Sequence, residues 1–354
     1  VRRLDWRFLL PWPETGSTFD DAVLIGADHA VVEVARTVGL ARRVHDRLPS
    51  TPRSVDLVAV LDGRRFDAAL IAGALRPGGV AYWEVDRRRT LTATPSRLAA
   101  ELRAAGLQPR AAYGVRPRLG EAELYLPLDS LATARWFVRR VYISARPAQL
   151  AAEWVSRALL RHQALFAAAQ PFHVAIAQKP PVAGATLADR LAEAAERAAG
   201  RPALLSHGGT RALFVYCDAG SAPTLVAKVP KLPDLVARTA REQAVLQQLH
   251  ESVRPALSNA VPRPFGVLDD RGQAVAVETG QSGTSMARRC GRWGTSTARR
   301  IEDLSVAASW ITRLHTEHPL GVRQWGPDVI AEVFAEPVRA YRRHFGTTAE
   351  EDAL

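Results

Sequence analysis

The sequence predicts an α/β protein in two parts: a Rossmann-like, mostly parallel sheet covered by helices, followed by an α+β segment built on an antiparallel sheet. Three observations carry this. Short apolar runs alternate with helix-period stretches over residues 21–179, the pattern of strands joined by crossover helices. The stretch "KPPVAGAT", rich in proline and small residues, then interrupts the alternation. Beyond it the apolar runs are separated by glycine-rich turns, as hairpins require. At 354 residues the chain exceeds one ordinary core. The expected division is an extension over 1–20, a sheet domain over 21–179, a linker over 180–186 and a second domain over 187–354.

Each element follows from a local signal. "DAVLIG" is an apolar strand, and "HAVVEVARTVGLARRVHDRL" has helical spacing at Val32, Ala35 and Val38 before a short strand ending at His45-Asp46. "SVDLVAVLDG" is a buried strand, "RRFDAALIAGAL" a helix, "RPGG" a turn and "VAYWEVD" a further strand. "PSRLAAELRAAG" is a helix closed by Gly106, followed by strands in "QPRAAYGVRP", "AELYLPLDS" and "PFHVAIAQKP" around an Arg- and Ala-rich helical stretch. In the second part, "LADRLAEAAERAAG" is an amphipathic helix, and "ALLSHGGTRALFVYCDAGSAPTLVAKVPK" reads as three antiparallel strands. A helix carrying Glu242 precedes the hairpin "PFGVLDDRGQAVAVETG", whose Asp270-Arg271-Gly272 is a turn. A basic loop, "ARRCGRWGTSTARR", leads to the helix "IEDLSVAASWITRLHTEH".

Composition limits the function classes. With 47% apolar and 23% charged residues the chain has ordinary globular composition, and no apolar run approaches membrane-spanning length. The early "FLL" is broken by Pro11 and Pro13, so a secretory signal is not expected and a cytoplasmic location is. Two cysteines, Cys217 and Cys290, provide neither a disulfide framework nor a metal set, and both read as small buried or half-buried residues. The net charge of +11 comes from arginines scattered in pairs such as Arg42-Arg43 and Arg139-Arg140, without an aromatic-interleaved stripe, so nucleic acid is not an expected partner. Only three lysines occur: Lys179, Lys228 and Lys231. In a chain that uses arginine for nearly every cation, a lysine inside the strand "TLVAKV" calls for a specific reason.

The first part, through "VLIGADHA", "SVDLVAVLD" and "LRPGG", resembles class I methyltransferases. The resemblance implies S-adenosylmethionine at the carboxyl ends of the strands, near Gly26, Asp28, Asp46 and Asp62. The sequence departs from the family in two ways. Its glycine-rich turn is reduced to Gly26-Ala27-Asp28-His29, and too few residues separate "VLIG" from "VDLVAVLD" for the usual strand and helix between them. His29 reads as a helix-start residue. S-adenosylmethionine binding is therefore expected to be weak or absent.

The second part resembles the amino-terminal lobe of the aminoglycoside phosphotransferase and choline kinase family over about residues 186–320. Lys228 in "LVAKV" and Glu242 in "REQAVLQQL" follow the order of the phosphate-binding lysine and the helix glutamate that fixes it. The resemblance implies an ATP site with Gly208, Gly209 and Thr210 in the phosphate-covering turn and Glu278 at the adenine hinge. It also implies Mg²⁺ and a small-molecule hydroxyl acceptor. His315 and His318 read as structural. The family's His-Gly-Asp catalytic loop does not occur between His315 and Leu354, so this domain is expected to be incomplete at its C-terminal end. Two alternatives stand beside a phosphotransferase-like protein: a methyltransferase with an inactive kinase-like appendage, and a non-catalytic binding scaffold. The sharpest expectation is that Lys228 lies within ion-pair reach of Glu242.

Overall fold

The computed structural model describes residues 2–13, 16, 18–89, 92–194, 198–207, 210–252, 260–270, 272–317, 326–336 and 338–339. Contacts divide the chain into a compact unit Val1–Ser305 and a second unit Val306–Leu354. Of the second unit, the described residues include the later turns of the helix Thr297–Glu317 and the helix Pro327–Ile330, which continues as a π-helical turn, Ala331–Ala335.

The first unit begins as an alternation of strand and helix: β1 (Phe19–Ile25), α1 (His29–Thr37), β2 (Ala41–His45), β3 (Val55–Val60), α2 (Ala68–Ala74), β4 (Leu75–Asp86), α3 (Pro95–Ala104) and β5 (Gln108–Arg116). Capping sets the helix starts. Asp28, Asp67 and Thr94 each accept a backbone N–H of the first turn of α1, α2 and α3. Pro95 adds its fixed φ at the start of α3. Lys179 closes the other end of α2, donating to the carbonyls of Ala72 (2.5 Å) and Leu75 (2.7 Å), which are otherwise orphans of the helix end.

After β6 (Leu124–Pro127) comes a helical group: α4 (Leu131–Trp136) with a π-helical turn Phe137–Val141, α5 (Pro147–Leu159) and α6 (Gln163–Ala168). Then follow β7 (Phe172–Gln178), α7 (Leu187–Ala194), β8 (Ala203–His207), β9 (Arg211–Cys217), β10 (Pro223–Pro230), α8 (Val236–Ser252), β11 (Pro264–Asp270) and β12 (Gln273–Thr279).

The strands form one sheet in the order β11-β12-β10-β9-β8-β6-β5-β7-β4-β3-β1-β2. The expected parallel arrangement holds across β2, β1, β3 and β4. From β4 outward every neighbouring pair is antiparallel, beginning with β7, which lies between β4 and β5. The expected boundary at 180–186 does not separate two compact bodies. Leu124 and Tyr125 of β6 pair with Leu205 and Leu204 of β8, so the sheet runs unbroken from the first part into the second.

Three further expectations are corrected. "RPGG" is not a turn between elements but the irregular start of β4. Val55 pairs with Leu75 while Leu57 pairs with Val80, so the extra residues bulge outward. Gly78 there has φ of 79°, and a Cβ on Gly79 would sit 2.9 Å from the Arg76 carbonyl oxygen. The "basic loop" contains a helix, Met286–Gly291, whose Arg288 is buried against Glu153 (2.6 Å).

Finally, residues 1–20 are no appendage: a short 3₁₀ helix, Arg2–Leu9, buries Leu4, Trp6, Phe8 and Leu9 in the core cluster that spans both parts. Trp6 stacks on Tyr82 with ring centroids 4.2 Å apart. Asp5 and Lys231, both fully buried, form an ion pair at 2.6 Å, and Arg7 donates to the Lys231 carbonyl (2.7 Å). The amino terminus thus ties the first part to the end of β10.

Candidate functional site: a lysine between two carboxylates

Strand β10 alternates strictly: Leu225, Ala227 and Val229 are buried, while Thr224, Val226 and Lys228 on the other face are partly accessible. The register places Lys228 between Leu213 of β9 and Ala276 of β12. Glu278 lies two residues beyond Ala276 and therefore shares the lysine's face. α8 connects β10 to β11 and carries Glu242 to the same face.

The outcome is a compact charge cluster. Lys228 Nζ lies 2.6 Å from Glu242 Oε1 and 2.7 Å from Glu278 Oε2, and Arg211 pairs with the other oxygen of Glu242. Lys228 is 14% exposed, Glu278 8% and Glu242 37%, so the cluster opens toward solvent on the helix side. Burial alone would raise the Glu242 carboxyl. The Lys228 hydrogen bond and charge, with Arg211, outweigh it and hold Glu242 below the usual carboxylate range. Farther along the same face, Val226 packs against the buried cluster of Trp136, Val215 and Cys217, giving the charged group an apolar neighbour. Burial pushes the Cys217 thiol up to about 12, so it behaves as a small core residue.

The expected approach of Lys228 to Glu242 is thus present, and Glu278 joins them. Its carboxylate pairs with the lysine at 2.7 Å, a contact that the sequence reading, which placed Glu278 at an adenine hinge, did not anticipate. Arg211, also missed, had a faint signal as the cation following the glycine turn. Thr210 sits at the turn between β8 and β9, its carbonyl accepting from Lys231 N (3.0 Å). Gly208 and Gly209 lie outside the described residues, as do His318 and Arg271.

The residues singled out in the first part do not assemble into a comparable cluster. They do lie at the carboxyl ends of adjacent strands: Gly26 after β1, Asp46 after β2 and Asp62 after β3. Each has a structural engagement except Asp46, which is exposed. Gly26 has φ of 85°, and a Cβ there would lie 3.0 Å from the Arg64 side chain. Asp28 is committed as the α1 cap, accepting from Val31 N (2.8 Å). Asp62 is ion-paired with Arg3 (3.0 Å), which also holds both oxygens of buried Glu84 (2.5 and 2.8 Å). Its backbone N–H donates to Glu84 as well (2.8 Å). An internal arginine bridge thus spans the carboxyl ends of β3 and β4.

No protein-family model matches the sequence, and no match is found among curated proteins. Among solved structures the neighbours include several methyltransferases and a [4+2]-cyclase, each over about half the chain. One is a chain of the complex between the Haloferax volcanii Trm112 methyltransferase activator and a methyltransferase. It is 15% identical with a TM-score of 0.30, over 51% of this chain and 89% of that one. Another is Haemonchus contortus phosphoethanolamine N-methyltransferase 2 in complex with S-adenosyl-L-methionine, 14% identical with a TM-score of 0.29, over 49% of this chain and 51% of that one. A third, an S-adenosylmethionine-dependent methyltransferase from Mesorhizobium loti, is 13% identical with a TM-score of 0.25, over 48% and 94%. Scores of this size leave any functional reading to the chain's own residues.

Proposed function

We propose that the Lys228 cluster is the phosphate-holding half of an ATP-dependent phosphotransferase site of the aminoglycoside phosphotransferase and choline kinase type. The acceptor would be a small-molecule hydroxyl. The observation that carries this reading is Lys228 on the third strand of the β8-β9-β10 run, bonded at 2.6 Å to Glu242 on the helix that follows. When bound, ATP supplies the phosphoryl group to be transferred. Lys228 donates to the phosphate oxygens, and Glu242, itself held by Arg211, keeps the ammonium in place. Glu278, ion-paired with Lys228 at 2.7 Å, is the carboxylate that a phosphate would displace from the lysine. In that exchange Glu242 continues to neutralise the lysine, while Glu278, 8% exposed, gives up its cation, which is the main cost.

Among the described residues no group of three or more His, Cys, Asp or Glu side chains is placed to hold a metal ion, so any Mg²⁺ here would have to be held largely by the nucleotide's phosphates and water. No His-Gly-Asp base loop lies between His315 and Leu354. The chain is therefore expected to bind nucleotide and to transfer no phosphate by itself.

Titration with a fluorescent ATP analogue is the test. Lys228→Met is expected to weaken binding at least about tenfold, the loss of a charge-assisted contact. The paired variant Lys228→Met/Glu278→Gln avoids leaving Glu278 beside an apolar side chain and should show the same loss. Unchanged affinity in both would remove the proposal.

A second reading has one observation in its favour: Gly26, Asp46 and Asp62 follow adjacent strand ends, where ligands of open α/β sheets bind. A methyltransferase would then use the first part, with S-adenosylmethionine as methyl donor. The Arg3 bridge and the capping duty of Asp28 oppose it. Calorimetry with S-adenosylmethionine is expected to give no binding tighter than millimolar, about 4 kcal/mol. Micromolar binding would put the methyltransferase reading first.

A further inference from the structure

The helical group between β6 and β7 carries a cleft of about 650 Å³, within the size range of small-molecule sites. Its polar lining is of one sign. Arg135 comes from α4, Arg139 and Arg140 from the π-helical turn, Arg157 from α5 and Arg161 from just beyond it, with Trp154 alongside and no acidic residue in the lining. Trp154 is 61% exposed, an unusual state for its indole on a folded surface, and the Arg157 guanidinium lies 5.8 Å from its ring.

The carboxylate nearest in the sequence, Glu153, is buried and already shared. It pairs with Arg157 and Arg288, each at 2.6 Å, and accepts from Ser144. Two other arginines are oriented by neutral acceptors, which fix geometry without cancelling charge. Arg135 donates to the Leu160 carbonyl (3.1 and 3.3 Å), and Arg140 to Thr284 Oγ1 (3.1 Å). Arg139 and Arg161 make no ion pair among the described residues. Five guanidinium groups gathered around one cleft repel one another within a Debye length of about 8 Å. An anion that spans several of them relieves this, and the planar donor fork of arginine matches phosphate oxygens two at a time.

From this arrangement we infer that the cleft binds a small molecule carrying several phosphate groups, held by Arg139, Arg140 and Arg161, with Trp154 offering a face for any planar ring attached to them. The site lies on different residues from the Lys228 cluster and stands or falls separately from it. Inorganic tripolyphosphate is the probe, titrated calorimetrically at physiological salt against the wild-type chain, an Arg139→Ala/Arg161→Ala variant and Lys228→Met. Both arginines are exposed, so the variant should fold, and its thermal midpoint should stay level or rise as like charges are removed.

The expected result is binding that weakens at least about tenfold in the double-arginine variant, persists in Lys228→Met and returns in part with Arg139→Lys/Arg161→Lys. Equal binding by wild type and the alanine variant would overturn the inference. So would tighter binding of single-stranded oligouridine than of tripolyphosphate, because that would assign the cleft to a nucleic-acid backbone.

Discussion

Asp5→Ala is expected to destabilise the fold by about 3–5 kcal/mol, the range for removing one partner of a buried ion pair. Asp5 and Lys231 are both at 0% exposure, 2.6 Å apart, and Asp5 also accepts from Ser206 Oγ (2.5 Å) and from Arg7 (3.4 Å). Burial already lowers Arg7 to about 10, with Asp5 partly offsetting that pull. Removing the carboxylate leaves two cations in the core, and neither can be rehydrated without opening the packing of the amino-terminal 3₁₀ helix. Urea unfolding should show a midpoint well below wild type with an unchanged slope, since the surface exposed on unfolding is the same. The double variant Asp5→Leu/Lys231→Met should recover most of the loss, because apolar residues of similar size tolerate that site better than a lone charge. A loss below about 1 kcal/mol for Asp5→Ala would mean that the pair does not bolt the two parts together.

Stability is also expected to rise with pH between about 4 and 6.5 on account of His173. This residue lies on β7 in the middle of the sheet, fully buried, and neither ring nitrogen has a hydrogen-bond partner among the described residues. Burial, aided by the nearby Arg87, lowers its pKa from 6.5 to about 4. In the window between these values the unfolded chain binds a proton that the folded chain refuses, so acid favours unfolding there. The contribution is fully present above 6.5 and is lost as pH falls toward 4. A shift of this size corresponds to roughly 3 kcal/mol across the window. Carboxylates held low, such as Glu242, lose their own contribution as pH falls below their ordinary range. The His173 part is therefore isolated as the difference between wild type and His173→Leu in unfolding titrations at several pH values. Parallel curves for the two proteins would show that His173 is not the source.

The Lys228–Glu242 pair was legible because both halves of it are local. Period-two alternation in "TLVAKV" turns Lys228 away from the core face, and the partners are only 14 residues apart, one helix entry away. Strand and helix identities in the first part were legible for the same reason: caps at Asp28, Asp67 and Thr94 and the apolar period act within a few residues. The wrongly read "RPGG" marks the limit of such signals, since a proline–glycine run serves a turn and a bulge equally well.

The sequence by itself therefore determined the types of most elements, "RPGG" and the helix Met286–Gly291 excepted, together with the faces they bury and the one charged pair bridged by a single strand-to-helix step. Only the tertiary structure decided which distant segments meet. It brought Glu278 to Lys228 through the pairing of β10 with β12, set Asp5 against Ser206 across 201 residues, and joined both parts through β6 and β8. It also gathered the arginines of α4, the π-helical turn and α5, which look scattered along the chain, into one cleft. The physical reason is that propensity, capping and alternation are settled by neighbours in the chain. The choice among remote partners is settled by burial and charge compensation summed over the whole core, and no short window of sequence contains that sum.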